Sequence, residues 1–330
     1  MLPLVDVAAL TDGDAAARSG VAAALDQACR RFGFVRIVGH GVDPGLRHRL
    51  TDDAAEFFAL PTATKAEIAM ERAGRAWRGW FPVGAELTSG RPDGKEGIYF
   101  GAELADDHLA VRAGAPLHGA NLFPTVPAGL RAAVLEWMEA MTSLGQRLLA
   151  ALATALGLDD AWFARNVTAD PTVLFRIFHY PPAGEQATEA DEWGVREHTD
   201  YGLLTILAQD GTGGLEVRGP SGWVDVPADP DVLVVNLGDM IERMTRGLYR
   251  STPHRVRNTS GVGRLSFPFF LDPSWDAEPV PIESLQPGDA SAGPPRWDGG
   301  DVHAWQGRYG DYLTAKVSKV FPQLMSRPGT

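Results

Sequence analysis

Cysteine is almost missing from this sequence: Cys29 is the one thiol in 330 residues. A lone thiol cannot close an intramolecular disulfide. A disulfide-stapled scaffold is therefore excluded, and a reducing, cytoplasmic location is expected. Cys29 falls within a helical pattern and is expected to be buried and inert. Long apolar runs are missing too. No stretch reaches the roughly 18 residues of a membrane-spanning helix, and Met1-Leu2-Pro3 leads into a strand-like segment rather than a signal peptide. Basic charge is in deficit: 30 Lys and Arg stand against 42 Asp and Glu, a net charge of −12. Nucleic-acid and anionic-membrane partners, which demand basic patches, are thereby disfavoured, and no obligate protein partner is evident. There is no serine-hydrolase elbow, P-loop or dinucleotide fingerprint. Gly211-Thr212-Gly213-Gly214 sits in a hairpin-like context, not at a strand-to-helix turn.

With 45% hydrophobic residues the chain can still bury a sizeable core. Leu2 to Asp6 reads as a short strand, and Ala15 to Phe32 carries Val21, Leu25, Ala28 and Phe32 at helical spacing. Gly33 to Val42 is then a strand, in which His40 reads as structural, and Asp43-Pro44 starts a helix that Pro61 ends. The longest helical pattern runs from Pro124 to Gly157, with Leu130, Val134, Trp137, Met141, Leu144, Leu148 and Leu152 on one face. From Val173 the apolar period changes to two. Candidate strands cover 173–180, 202–209, 214–218, 223–226, 232–237, 252–256 and 264–271, with turn signals between them such as Asp210-Gly211 and Gly219-Pro220-Ser221-Gly222. Short strands so punctuated indicate a sandwich or jelly roll, and helices before strands add a helical layer. The expected fold is a mainly β core, a double-stranded β-helix or jelly roll, with flanking α-helices, α+β overall. One catalytic domain over 1–330 is expected. It would comprise an N-terminal α/β region over 1–125, a buttressing helix over 126–160, the core over 171–273 and a C-terminal helix over 301–330. Asp276 to Gly300, rich in Pro, Gly and Asp, reads as a linker.

Chemistry concentrates in that core. His198-Thr199-Asp200 places an imidazole and a carboxylate two residues apart, on one face if the chain is extended. His254 follows in Ser251-Thr252-Pro253-His254. Two neutral imidazoles and one carboxylate on one face of an ion leave its other positions open, as in non-haem Fe(II) oxygenases. A zinc hydrolase could use the same three donors, but it would leave Arg264-Leu265-Ser266 without a task. Arg264 and Ser266 present a guanidinium and a hydroxyl on one strand face, a clamp for a carboxylate. By alternation, Arg176, Phe178 and Tyr180 share one face while His179 points away, and Phe270 follows Arg264 and Ser266.

These segments, with Phe178-His179-Tyr180-Pro181-Pro182 and Asn236-Leu237-Gly238-Asp239, resemble the isopenicillin-N-synthase-like branch of the Fe(II)/2-oxoglutarate-dependent dioxygenases. The resemblance covers nearly the whole chain. It implies Fe(II) on His198, Asp200 and His254, and 2-oxoglutarate with its distal carboxylate on Arg264, Ser266 and Tyr180. O2 is the co-oxidant, and ascorbate is left open as a reductant. It further implies hydroxylation, desaturation or cyclisation of a small molecule, with release of succinate and CO2 and no catalytic side chain beyond the iron ligands. Candidate substrate contacts are Arg176, Phe178, Phe270, Arg78, Phe81 and Tyr99. The segments around Arg78-Gly79-Trp80-Phe81 and Lys95 to Gly101 read equally as packed surface loop or pocket mouth. Arg176 could hold a substrate carboxylate or a salt bridge to Glu197 or Asp239. Two other readings stay open: an Fe(II) oxidase that uses no 2-oxoglutarate, as isopenicillin N synthase and the ACC oxidases do, and a non-catalytic ligand-binding jelly roll.

Overall fold

The structure is a computed structural model describing residues 1–182, 193–258, 260–288, 296 and 298–322. In chain order its strands are β1 (Leu4–Asp6), β2 (Phe34–Val38), β3 (Gly79–Phe81), β4 (Leu87–Thr88), β5 (Arg91–Pro92), β6 (Glu96–Gly101), β7 (Pro171–Tyr180), β8 (Trp193–His198), β9 (Leu204–Gln209), β10 (Leu215–Gly219), β11 (Gly222–Asp225), β12 (Leu233–Leu237), β13 (His254–Arg257) and β14 (Arg264–Ser274). They form a large sheet in the order β1-β2-β12-β9-β14-β7-β6-β3, a small sheet in the order β11-β10-β13-β8, and the hairpin β4-β5. Both sheets contribute side chains to one internal cavity, Arg176, Thr205 and Arg264 from the large sheet and Val195, Leu215 and Val256 from the small one. The two therefore face each other as the halves of a jelly roll.

The helices Pro44–Ala59 and Leu130–Ala155 pack on the large sheet, and the Ala15–Phe32 helix packs against the long one. In the Ala15–Phe32 helix, Asp14 caps the first turn by accepting from the Ala17 N–H at 2.8 Å, and Leu25, Ala28 and Cys29 are buried. Burial pushes the Cys29 thiol up to about 12, which makes it inert. Asp43 caps the Pro44–Ala59 helix in the same way, with Pro44 in its first turn, and the chain leaves the helix before Pro61. The long helix runs Leu130–Ala155, starting later than the apolar pattern suggests because Pro124 and Pro127 disfavour helical geometry in the residues before them. All seven of its predicted core positions, Leu130 through Leu152, are buried. At Gly145 the helix comes so close to the sheet that a Cβ would lie 2.7 Å from Leu271 Cδ2. Among the described residues no helix is long and apolar enough to cross a membrane.

Three expectations need correction. The segments 77–82 and 95–101 are not surface loops: β6 pairs with β7 and β3 with β6, and every residue of both strands is buried. A strand precedes the His-x-Asp step, since β8 ends on His198 and β9 begins only at Leu204. His198 and Asp200 therefore do not share one strand; the chain leaves the small sheet at His198 and enters the large one after Asp200. Finally, the described part of 276–300 is no free linker. Ile282 and Leu285 are buried, the Pro279 carbonyl accepts from Arg243 Nε at 3.0 Å, and Arg296 donates to Asp239 at 2.9 Å.

Candidate active site

The sheets bring two histidines together by ladder register. His254 on β13 is the direct cross-strand partner of His198 on β8, which sets their rings 4.2 Å apart between centroids. Each ring is held through Nδ1, His198 against the Arg196 carbonyl at 2.8 Å and His254 against the Thr252 carbonyl at 3.2 Å. A proton on Nδ1 leaves the Nε2 lone pair free, the tautomer a metal ligand needs. Burial pushes His254 down to about 4 and lowers His198 as well, so both rings are neutral near pH 7.

Asp200 reaches the pair from the loop that follows β8. Its Oδ1 lies 3.9 Å from His198 Nε2 and 3.8 Å from His254 Nε2. Its other oxygen is occupied: Oδ2 accepts from the Thr205 hydroxyl at 2.5 Å and from Asn236 Nδ2 at 2.7 Å. Burial favours the neutral carboxyl, but His254, His198 and these two donors outweigh it and hold Asp200 below the usual carboxylate range. One donor atom from each of the three residues lies within 4.8 Å of the others. The set is two neutral nitrogens and one anionic oxygen, with the remaining carboxylate oxygen and both Nδ1 atoms tied back to the protein. Such a set fits a divalent iron with open positions.

These donors open onto a cavity of about 600 Å³. At one end Arg264, opposite Tyr180 in the β14–β7 ladder, is wholly buried. Its Nε donates to the Gly213 carbonyl at 2.6 Å, its guanidinium lies 4.7 Å from the Tyr180 ring centre, and its Nη1 has no partner. A buried cation with an idle N–H pair is unfavourable alone, and a carboxylate would complete it. Ser266 and Tyr180 line the same end, so the cluster fits the distal carboxylate of 2-oxoglutarate.

Alternation holds along both strands. Leu174, Arg176, Phe178 and Tyr180 of β7 line the cavity, as do Ser266, Pro268 and Phe270 of β14. His179 points away, paired with Glu96 at 2.9 Å and stacked on Phe58. Tyr99 lines the wall and gives its hydroxyl to Glu86. Arg78 and Phe81, expected at the substrate, do not reach it. Arg78 turns to the Leu117 carbonyl at 2.6 Å, and Phe81 lies behind the wall, packed edge-on against Tyr99 and Phe321. Arg176 forms neither salt bridge considered for it; Asp239 is taken by Arg296, Tyr312 and Lys316.

Several lining residues are not among the individually named candidates. Lys95 sits buried between Asp93 at 2.5 Å and Glu86 at 2.8 Å, and the C-terminal Tyr309–Val320 helix contributes Leu313, Lys316 and Val317. The sequence did carry one signal for Asn236: it is the polar residue of an otherwise apolar strand, Leu233-Val234-Val235-Asn236-Leu237. Lys95 and Glu96 are likewise charged residues beside an apolar run.

Comparison with known proteins agrees with this geometry. The family model described as “non-haem dioxygenase in morphine synthesis N-terminal” matches residues 2–126, and that of the “2OG-Fe(II) oxygenase superfamily” matches residues 171–273. The chain is 45% identical over 324 residues to the “probable iron/ascorbate oxidoreductase” of Dictyostelium discoideum, covering 91% of this chain and 88% of that one. It is 33% identical over 360 residues to the 1-aminocyclopropane-1-carboxylate oxidase of the same organism, covering 98% and 96%. In fold it matches a full-length Neurospora crassa protein, solved in complex with alpha-KG, with a TM-score of 0.79 at 24% identity over 96% of each chain.

Proposed function

The chain belongs to the 2OG-Fe(II) oxygenase superfamily, and from that premise we propose that it hydroxylates a small organic substrate. Iron would be held by His198, Asp200 and His254, and the distal carboxylate of 2-oxoglutarate by Arg264, Ser266 and Tyr180. One observation carries this reading: three converging donor atoms open onto the same cavity as a buried guanidinium with an unused nitrogen. Iron with 2-oxoglutarate and O2 supplies oxidation of a substrate C–H bond, coupled to conversion of 2-oxoglutarate into succinate and CO2.

The protein's share is placement. The Arg196 and Thr252 carbonyls fix the imidazole planes, and Asn236 and Thr205 turn Asp200 so that one oxygen faces the ion. Arg264 sets how far the cosubstrate can enter. Phe178, Phe270 and Val317 line the remaining space with apolar surface and keep water from the reacting atoms. No side chain is required as nucleophile or general base.

The test is succinate formation by purified protein supplied with Fe(II), 2-oxoglutarate and O2, scored against a substrate panel. The expected result is iron-dependent succinate release that rises with substrate and is lost in both His198→Ala and Asp200→Ala. Unchanged turnover in either variant overturns the ligand assignment. Substrate consumption without succinate would instead place the reaction with the 2-oxoglutarate-independent oxidases.

A further inference from the structure

The cavity holds a second cation that the cosubstrate does not use. Arg176 lies between two rings, its guanidinium carbon 4.0 Å from the centre of Tyr99 and 4.7 Å from that of Phe270. Rings on the strands either side of β7 limit how the guanidinium can turn, and its N–H groups are left to bind a partner. None of them has an acceptor among the described residues, and Nε is buried without a partner. The nearby carboxylate of Glu86 is already engaged by Lys95 at 2.8 Å and by the Tyr99 hydroxyl.

Register separates this cation from the cosubstrate clamp. Tyr180 pairs with Arg264, and Arg176 lies four residues back along β7 on the same face. At strand rise that is about 13 Å, too far for one carboxylate to serve both. Between them on this face lie Phe178 and its ladder partner Ser266, with Lys95 Nζ 4.8 Å from the Phe178 ring centre; Leu174 and Phe270 flank Arg176 on its far side, and Leu313 and Val317 of the C-terminal helix also line the cavity.

We infer that Arg176 is a second anion site and that the substrate is a small carboxylic acid with an apolar body, its carboxylate on Arg176 and its carbon skeleton against Phe178 and Phe270. This rests on 2-oxoglutarate occupying the Arg264 end. The in-plane fork of Arg176 takes a carboxylate bidentately, and the flanking rings exclude the water that would compete with it.

The experiment uses anaerobic protein loaded with Mn(II) and 2-oxoglutarate, titrated calorimetrically with phenylacetate, hexanoate and the two matching amides. The acids are expected to bind at least ~10-fold tighter than the amides, since only the acids complete a charge-assisted pair. Arg176→Gln should abolish the preference, and Arg176→Lys, a point charge without the fork, should keep it at least ~3-fold reduced. Affinity for 2-oxoglutarate should stay at the wild-type value in both variants, which also shows them to be folded. If the Gln variant fails to fold, the Lys variant decides by the same ratio. Equal binding of acids and amides, a preference that survives in Arg176→Gln or is undiminished in Arg176→Lys, or no binding of any of the four probes overturns the inference. Failure of the wild type to bind 2-oxoglutarate would overturn the cosubstrate reading instead, so the two failures are distinguishable.

Discussion

Arg264→Met separates binding from folding more cleanly than any other change at this site. In the wild type the guanidinium is wholly buried, donates once to Gly213 at 2.6 Å, contacts Gln209 at a long 3.4 Å and leaves Nη1 idle. Methionine fills a similar volume, carries no charge and needs no partner. Removal of the buried cation recovers its desolvation cost, several kcal/mol in general, while the Gly213 carbonyl loses its donor at about 1–3 kcal/mol. These terms oppose each other, so the ligand-free protein should melt within a few degrees of wild type.

The cosubstrate has no such compensation. Its distal carboxylate would enter the same dry pocket and find only the Ser266 and Tyr180 hydroxyls. Leaving a buried charge without its partner costs about 2–4 kcal/mol, a rise in Kd of roughly 30- to 800-fold. The assay is anaerobic calorimetric titration of 2-oxoglutarate into Mn(II)-loaded protein, alongside thermal melts of the ligand-free form. A Kd within threefold of wild type, in a variant that melts normally, would refute the placement of the cosubstrate on Arg264.

Asn236→Ala removes one of the two donors on Asp200 Oδ2, 2.7 Å away. The carboxylate is then held by the Thr205 hydroxyl alone, and Mn(II) affinity by titration should fall about 10- to 100-fold; unchanged affinity would show that Asn236 does not orient the ligand. Glu96→Gln strips the anion from a buried cluster in which Lys65 lies at 2.8 Å and Trp80 and His179 at 2.9 Å. It should destabilise the fold by about 3 kcal/mol, because Lys65 is left charged and buried; a chemical-denaturation midpoint equal to wild type would refute that. Asp272, whose carboxyl accepts from Tyr309 at 2.5 Å, is pushed up to about 7 by burial. With the folded pKa above the unfolded value of about 3.9, its contribution is complete below about pH 4 and is lost as pH rises through 7. Asp272→Asn has no proton to lose, so the melting temperature of the ligand-free variant should gain on wild type between pH 5 and 8; parallel pH profiles would refute this.

The core was readable where local chemistry and burial agree. The strands from 171 to 274 alternate apolar residues and are broken by glycines such as Gly211 and Gly213, whose positive φ of 97° and 88° a turn requires. The helix faces were readable for the same reason. Less readable were buried charged residues whose partners only the folded sheet brings to them. At the start of β6, Glu96 looks like surface until Lys65, Trp80 and His179 are seen to reach it, and so does the preceding Lys95 until Asp93 and Glu86 enclose it. Strand β8 was missed because Trp193-Gly194-Val195-Arg196-Glu197-His198 has weak alternation, and its pairing comes from β13 some 60 residues later. Arg78 and Phe81 were misplaced for want of register, since only the β3–β6 ladder shows that Phe81 backs the wall rather than lines it.

The same distinction explains why the three candidate donors converge although His198 and Asp200 do not share a strand. The i, i+2 spacing of His198 and Asp200 suggested one extended strand, but the residues belong to different layers of the molecule. The small sheet supplies both histidines, aligned by a single cross-strand pair. The large sheet supplies the orientation of Asp200, through Thr205 on β9 and Asn236 on β12, and the Asp200 carbonyl also accepts from the Asp239 N–H at 2.8 Å. The three donors meet only because the sheets face each other at the right separation, so the candidate metal site lies across their seam. An ion there ties the two layers together and binds the folded state alone, and its binding energy must therefore appear as stability of the sheet packing. A short motif could suggest the chemistry, because it records which side chains are present, but the distances between them belong to the whole sandwich.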